Sequence, residues 1–137
     1  MSKKSIDLKF GKKNENENLP LIRKYFNFDD LEMDVNEFET IDFKNDFILV
    51  ELKSRRIEHN KFPTCLIGYN KYLYFKKNNV ERDCYIVYKY NDGLFFVKVD
   101  DEFENFETQI QNTWRDGKCE KSKVVLIPIN KLQKMVI

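Results

Sequence analysis

The sequence has few residues of the kinds that build zinc sites. It contains three cysteines, Cys65, Cys84 and Cys119, and one histidine, His59. No two cysteines have the close spacing of a zinc-binding pair, and a lone histidine cannot complete a zinc site with them. These residues predict reduced, structural thiols in a reducing compartment.

Long hydrophobic runs are also missing. No apolar stretch approaches the roughly 20 residues that a membrane-spanning helix needs, and Met1–Asp7 contains no apolar signal core. We therefore expect an intracellular, soluble protein with no membrane partner. No glycine-rich loop follows any predicted strand, so a nucleotide-binding fold has no support.

Charge of one sign is not in excess. The chain has 24 Lys and Arg against 23 Asp and Glu, a formal net charge of +1. Because a global basic field is absent, binding to nucleic acid would depend on a local patch. Such a patch is predicted between Lys53 and Lys77, which holds seven basic residues and one acidic residue. The acidic run Asp100–Glu107 is interpreted as a solvated face, or as a surface that orients DNA or contacts a partner.

The length and composition are those of one folded domain. The chain has 137 residues, of which 42% are hydrophobic and 15% aromatic, enough to bury a core. We therefore predict a single domain over residues 1–137. Hydrophobic periodicity and turn residues predict an α/β (α+β) fold in which a central mixed sheet is flanked by helices.

The predicted elements alternate between helices and paired strands. The first helix begins near Pro20 and includes Leu19–Phe26, and Lys12–Asn18 is either a loop or the start of that helix. The remaining elements are an irregular segment at 28–37, strands at 39–43 and 47–53 joined by a turn at 44–46, a loop at 54–63, a helix at 69–77, a hairpin of 83–90 and 94–99, a strand at 123–129 and a closing helix at 130–135.

The chemistry is concentrated on the strand Phe47–Lys53. Alternation places Leu49, Glu51 and Lys53 on one face, and charged groups on a buried strand are costly unless they are paired or bind a cation. Asp42 lies across the predicted hairpin, within reach of Glu51. Two carboxylates suit Mg²⁺ or Mn²⁺, and a neighbouring lysine can orient or deprotonate water and offset charge on a phosphate.

This stretch resembles a known family. Asp42-Phe43 followed by Val50-Glu51-Leu52-Lys53-Ser54-Arg55 resembles the PD-(D/E)XK nuclease superfamily, the fold of restriction endonucleases. The residues from His59 to Lys71 are similar to those of small members encoded by large DNA viruses. The resemblance covers residues 11–99, although Ile41 replaces the proline that precedes the aspartate in the family pattern.

The resemblance implies a restriction-endonuclease-like core and a Mg²⁺- or Mn²⁺-dependent endo- or exodeoxyribonuclease. Asp42 and Glu51 would be metal ligands and Lys53 the catalytic lysine. Such an enzyme would act in viral genome processing, repair or recombination, in the host cytoplasm, the nucleus or a viral factory, or in the virion. The family often adds a glutamate on the first helix, for which Glu15 is the candidate and Glu17 the alternative. The candidate nucleic-acid-binding residues are Arg55, Arg56, Lys61 and Lys71.

Simpler interpretations stand beside these. Glu51 and Lys53 would make an ordinary ion pair at a strand end, Asp46 competes with Asp42 as a ligand, and His59 is a loop residue rather than a base. The rings of residues 69–75, Trp114 and the cysteines are expected to pack in the core. The alternative functions are a non-catalytic nuclease-fold subunit that binds nucleic acid or protein, and an RNA-binding protein without hydrolysis. The small size also predicts reliance on a homodimer or a partner protein.

Overall fold

The computed structural model describes residues 3–33 and 41–136, and within these ranges all side chains except those of residues 3–12, 14 and 115. The described residues form a mixed α+β fold of two α-helices and nine strands. Six strands form one sheet in the order β1-β2-β3-β5-β6-β9, and three form a second sheet in the order β4-β8-β7. The elements are α1 (Lys3–Phe26), β1 (Glu32–Met33), β2 (Phe43–Lys44), β3 (Ile48–Ser54), β4 (Thr64–Gly68), α2 (Tyr69–Asn78), β5 (Asp83–Tyr90), β6 (Gly93–Lys98), β7 (Thr108–Arg115), β8 (Lys118–Pro128) and β9 (Gln133–Lys134).

The first helix is longer than the sequence predicted. α1 begins at Lys3, and Pro20 lies inside it rather than near its start. Proline removes one backbone donor, which is least costly on an exposed helix face where water can bind the released carbonyl, and Pro20 is exposed. The neighbouring Leu19 and Ile22 are buried and attach this part of the helix to the core.

The predicted hairpin around the acidic motif is present. β2 pairs with β3 in antiparallel register, with Phe43 opposite Val50. The side chain of Asn45 accepts hydrogen bonds from the backbone N–H groups of Phe47 and Ile48, both at 2.8 Å, and so closes the turn. The first of these strands is shorter than predicted, because only Phe43 and Lys44 are paired. Residues 34–40, which include parts of the predicted irregular segment and strand, lie outside the described residues.

Strand β3 lies at the centre of the larger sheet and is buried on both faces from Ile48 to Leu52. Leu49 belongs to one hydrophobic cluster, together with Tyr72 and Phe75 of α2. Ile48 and Val50 belong to a second cluster. β3 is parallel to β5, so the chain must cross over between them. The crossover contains β4 and α2, which places α2 over the face that carries Leu49.

One strand was not predicted, and two predictions for the second half of the chain were wrong. The strand β4 lies between the predicted loop and the predicted helix, where the sequence analysis assigned no element. Residues 130–135 do not form a helix: a short 3-10 turn, Ile129–Lys131, leads into β9, which pairs with β6. Trp114 and Cys119 are exposed rather than packed in the core, with Trp114 65% exposed.

The acidic run is not solvated along its whole length, because part of it packs against α2. It forms a 3-10 turn, Asp101–Asn105, whose Phe103 is buried and stacks on Tyr72 with ring centroids 5.8 Å apart. Glu104 forms an ion pair with Lys76 at 2.5 Å. This turn therefore covers part of α2 and neutralises one lysine of the predicted basic patch.

None of the described helices is long and apolar enough to cross a bilayer.

Candidate metal centre on strand β3

Asp42 and Glu51 come together because of the β2–β3 register. Phe43 pairs with Val50, so the residue before β2 lies beside Glu51. Oδ2 of Asp42 accepts a hydrogen bond from the backbone N–H of Leu52 at 2.9 Å. This bond fixes the Asp42 side chain against β3, where its carboxyl group is also within hydrogen-bonding reach of Glu51. The hairpin predicted from sequence thus brings the two predicted carboxylates together.

Glu51 is a buried carboxylate with two lysines beside it. Its residue is 4% exposed, whereas Asp42 is partly exposed. Nζ of Lys71 lies 2.7 Å from Oε2 of Glu51, and Nζ of Lys53 lies 3.9 Å from Oε1. The Lys71 contact is an ion pair by distance, but its direction does not meet the angles of a hydrogen bond, so the inaccessible Oε2 has no aligned donor.

The electrostatics of Glu51 are dominated by its burial. The pKa of Glu51 is raised from 4.5 to about 8, mainly by burial and in addition by the neighbouring Asp42 carboxylate. The ammonium groups of Lys53 and Lys71 act in the opposite direction and lower this pKa. The two lysines therefore offset only part of the cost of an ionised Glu51. A cation between the carboxylates would supply the rest.

This donor set fits a hard divalent cation of the Mg²⁺ type. Mg²⁺ binds oxygen atoms, keeps several of its waters and commonly uses only one or two carboxylates from the protein. Asp42 and Glu51 can supply these ligands, and the poorly satisfied Oε2 of Glu51 is an acceptor that such an ion would use. Among the side chains that the structure describes, no group of three or more His, Cys, Asp or Glu is arranged to hold a metal.

The other predicted carboxylates lie apart from this pair. Glu15 is partly buried on α1, and it does not complete a three-carboxylate group with Asp42 and Glu51 in the described part of the chain. Glu17 is exposed and pairs with Lys13. Asp46 is exposed in the β2–β3 turn, which supports the preference for Asp42 as the ligand.

The predicted nucleic-acid-binding residues fall into two groups. Arg55, Arg56 and Lys61 are exposed on the loop that follows β3, next to the end of the strand that carries Lys53. Lys71 is different, because it contacts Glu51 and belongs to the candidate site itself. The sequence pointed to Lys71 as a substrate-facing residue, but its pairing with Glu51 depends on how α2 packs over β3.

His59 has a structural role in the loop. Its Nδ1 contacts Oδ2 of Asp92, and its backbone N–H donates to Oδ1 of the same carboxylate at 3.0 Å. Its ring stacks on Phe95 with centroids 4.3 Å apart. These contacts attach the loop to the β5–β6 hairpin. They agree with the interpretation of His59 as a loop residue.

No protein-family model, curated protein or solved structure matches the chain. The assignment of a function therefore depends on the geometry around Glu51 and on the resemblance of the motif.

Proposed function

We propose that the protein is a Mg²⁺- or Mn²⁺-dependent nuclease that hydrolyses DNA phosphodiester bonds on a restriction-endonuclease-like core. The observation that carries this proposal is the buried Glu51, which lies beside Asp42 and between two lysines. A purely structural ion pair would not need a second carboxylate that raises the pKa of the first. Perturbed carboxylates of this kind are common at functional sites.

Each residue has a distinct part in the proposed reaction. Asp42 and Glu51 would hold the ion, which supplies polarisation of the phosphate and acidification of water when bound. Lys53 has a one-third exposed side chain at the edge of the site, so it can orient the attacking water and offset charge on the phosphate. The water oxygen bonds to phosphorus as the opposite P–O bond breaks. The attacking water gives up one proton to solvent, and the leaving oxygen takes one proton from solvent.

Lys71 and the loop arginines support this chemistry from two sides. Lys71 is mostly buried and lies against Oε2 of Glu51, so it favours the ionised form of that carboxylate and holds it in place. Arg55 and Arg56 are exposed just beyond Lys53, where guanidinium groups can bind neighbouring phosphates. Roles in viral genome processing, repair or recombination are suggested by the motif resemblance and belong to the same proposal.

Cleavage assays with a lysine variant test this proposal. Labelled single-stranded DNA, duplex DNA and RNA are incubated with the wild type and Lys53→Met in Mn²⁺, Mg²⁺ or EDTA. We expect metal-dependent cleavage of DNA that falls by about 10²–10⁴-fold in Lys53→Met. Lys24→Met, which changes an exposed lysine in the last turn of α1 outside the predicted basic patch, is the control and should cleave normally. Cleavage in EDTA, or equal activity of Lys53→Met, would rule the proposal out.

A second candidate is a non-catalytic nuclease-fold subunit that binds nucleic acid or a protein partner. It is favoured by one observation: when all four groups are ionised, the charges of Asp42 and Glu51 are balanced by those of Lys53 and Lys71. Under this candidate, nucleic acid binds in EDTA, cleavage is absent in every metal, and Lys53→Met changes neither result.

A further inference from the structure

The second sheet extends past its third strand as a two-stranded ribbon. β7 and β8 pair from Thr108 opposite Val125 to Arg115 opposite Lys118. β4 pairs only with the Val124–Pro128 part of β8. Within the described part of the chain, the strand residues of 110–123 therefore pair only with each other, and we call this segment the arm.

The arm begins beside the candidate metal centre. The β4–β8 pairing ends at Gly68 opposite Val124, and Gly68 is the residue before α2. Nζ of Lys123 lies 4.1 Å from the centroid of the Tyr69 ring at the start of α2. Lys71, two residues further along, contacts Glu51. The base of the arm thus lies at the end of α2 that forms the site.

One face of the arm combines aromatic, aliphatic and basic side chains. Directly opposed residues of an antiparallel pair share a face, and this face holds three such pairs. Trp114 is 65% exposed and Ile110 is 58% exposed. Glu120 lies on the other face, opposite Thr113. The three pairs on the first face are Ile110 with Lys123, Asn112 with Lys121, and Trp114 with Cys119.

This face is turned toward the side of the sheet on which α2 lies. Two residues along β8 from Lys123 comes Val125, which shares its face and is buried in the cluster that includes α2. The contact of Lys123 with Tyr69, the first residue of α2, also places the Lys123 side chain on this side of the sheet. A strand of nucleic acid that enters the site can therefore continue along Lys123 and Lys121 to Trp114.

We propose that the arm binds an unpaired nucleic-acid strand next to the site, with a base stacked on Trp114 and phosphates held by Lys121 and Lys123. This inference rests on the proposed function and specifies its substrate as a single-stranded segment, flap or frayed end. An exposed indole stacks on any accessible base, and lysines pair with phosphates. Bases inside a duplex are covered by their neighbours, so they offer no free face.

A second copy of the chain is the competing occupant of this surface. Two copies that met symmetrically with the two-fold axis near Lys121 and Lys123 would bring the lysines of one near the lysines of the other. Such repulsion disfavours the dimer, whereas a polyanionic strand is complementary to the same charges. The charge of the face therefore decides for nucleic acid.

Trp114 is the chain's only tryptophan, so its fluorescence reports directly on the arm. Glu51→Gln protein in EDTA is titrated with a single-stranded oligodeoxynucleotide and with a blunt duplex of equal length. We expect saturable quenching that weakens as salt rises and a lower affinity for the duplex.

Binding by the variants is measured by the fluorescence anisotropy of a labelled single strand. Trp114→Ala should bind roughly 5- to 150-fold more weakly, as for one lost stacking contact. The double variant Lys121→Ala/Lys123→Ala should also bind more weakly and show a smaller salt dependence. Lys24→Ala, on the exposed side of α1 outside the patch, should bind as the parent does.

Three results would overturn this inference: no quenching by any nucleic acid, equal quenching by the duplex, or concentration-dependent dimerisation that Trp114→Ala abolishes. Its failure is distinguishable from that of the proposed function. Cleavage that persists without quenching would remove only the arm from the account. Quenching by single strands with no cleavage in any metal would keep the arm and reject the nuclease.

Discussion

Nζ of Lys71 lies 2.7 Å from Oε2 of Glu51, closer than the 3.9 Å that separates Nζ of Lys53 from Oε1. The helix lysine thus makes the closest contact with the buried carboxylate, although Lys53 lowers the pKa of Glu51 more than Lys71 does. This arrangement leaves Lys53 free to act on substrate, because its side chain is the more exposed of the two. It also separates the expected effects of the two lysines in experiment.

Loss of Lys71 should destabilise the protein in a pH-dependent way. Removing one partner of a buried ion pair leaves the other charge uncompensated. Because Lys71 retains some exposure, we expect Lys71→Met to lower the free energy of unfolding by about 1–3 kcal/mol at pH 8. The loss should be smaller at pH 5, where Glu51 is protonated. Urea unfolding at both pH values measures this, with Lys77→Met as a control expected to change stability by less than about 0.5 kcal/mol. An equal loss at both pH values would contradict the assigned pairing.

Stability without metal should fall between pH 4.5 and 8. The pKa of Glu51 is 4.5 in an ordinary environment and about 8 in the fold, so the unfolded chain loses this proton first. The contribution of Glu51 is therefore fully present below pH 4.5 and is lost as the pH rises to about 8. The loss is at most about 1.4 kcal/mol for each pH unit. Urea unfolding of the wild type and Glu51→Gln in EDTA should show this slope in the difference between them, and parallel curves would disprove it.

The two substitutions of Asp42 should have different effects. Asp42→Asn removes the like charge, so it should lower the pKa of Glu51 while the side-chain oxygen still accepts from the N–H of Leu52. Asp42→Ala also leaves that N–H without its acceptor, at a cost of about 1–3 kcal/mol. Both variants should lose metal-dependent cleavage. Carbon NMR titration of the Glu51 carboxyl, assigned with Glu51→Gln, measures the pKa, and an unchanged value in Asp42→Asn would contradict the close contact.

His59 should matter for the loop and not for the chemistry. The ring contacts Asp92 and stacks on Phe95, so we expect His59→Ala to lower the melting temperature. The hydrogen bonds from His59 hold the pKa of Asp92 below its ordinary value even though burial acts to raise it. The cleavage rate and its pH profile at saturating substrate should stay those of the wild type. Loss of the acidic or basic limb of that profile in His59→Ala would show that His59 is a general base instead.

The elements predicted correctly are those encoded by local residues. The β2–β3 turn is closed by Asn45, and α2 has its buried residues at helical spacing. The strand β4 and the arm were not predicted, because β4 is paired with β8, about sixty residues further along the chain. Likewise, the strand β9 is held by a distant partner, since the backbone N–H of Met135 donates to the carbonyl oxygen of Leu94.

The same distinction applies to the site. The hairpin alone brings Asp42 to Glu51, and strand alternation places Lys53 beside Glu51, so this part could be predicted from sequence. The contact of Lys71 with Glu51 could not, because it requires α2 to fold back over β3 after a long crossover. The exposure of Trp114 could not be predicted either, because it depends on β4, the third strand of its sheet, ending before the Trp114–Cys119 pair. Both features arise from tertiary packing rather than from spacing in the sequence.

The central claim is that Asp42 and Glu51 hold a divalent cation, and calorimetric titration with Mn²⁺ at pH 7 tests it most directly. The wild type and Glu51→Gln are compared in two buffers of different ionisation enthalpy. The account predicts that the wild type binds one Mn²⁺ and releases close to one proton, roughly the fraction that a carboxyl with a pKa of about 8 still carries at pH 7. It predicts no binding to Glu51→Gln. Equal Mn²⁺ affinity in the two proteins, or no binding to the wild type even with DNA present, would contradict a metal centre at Glu51.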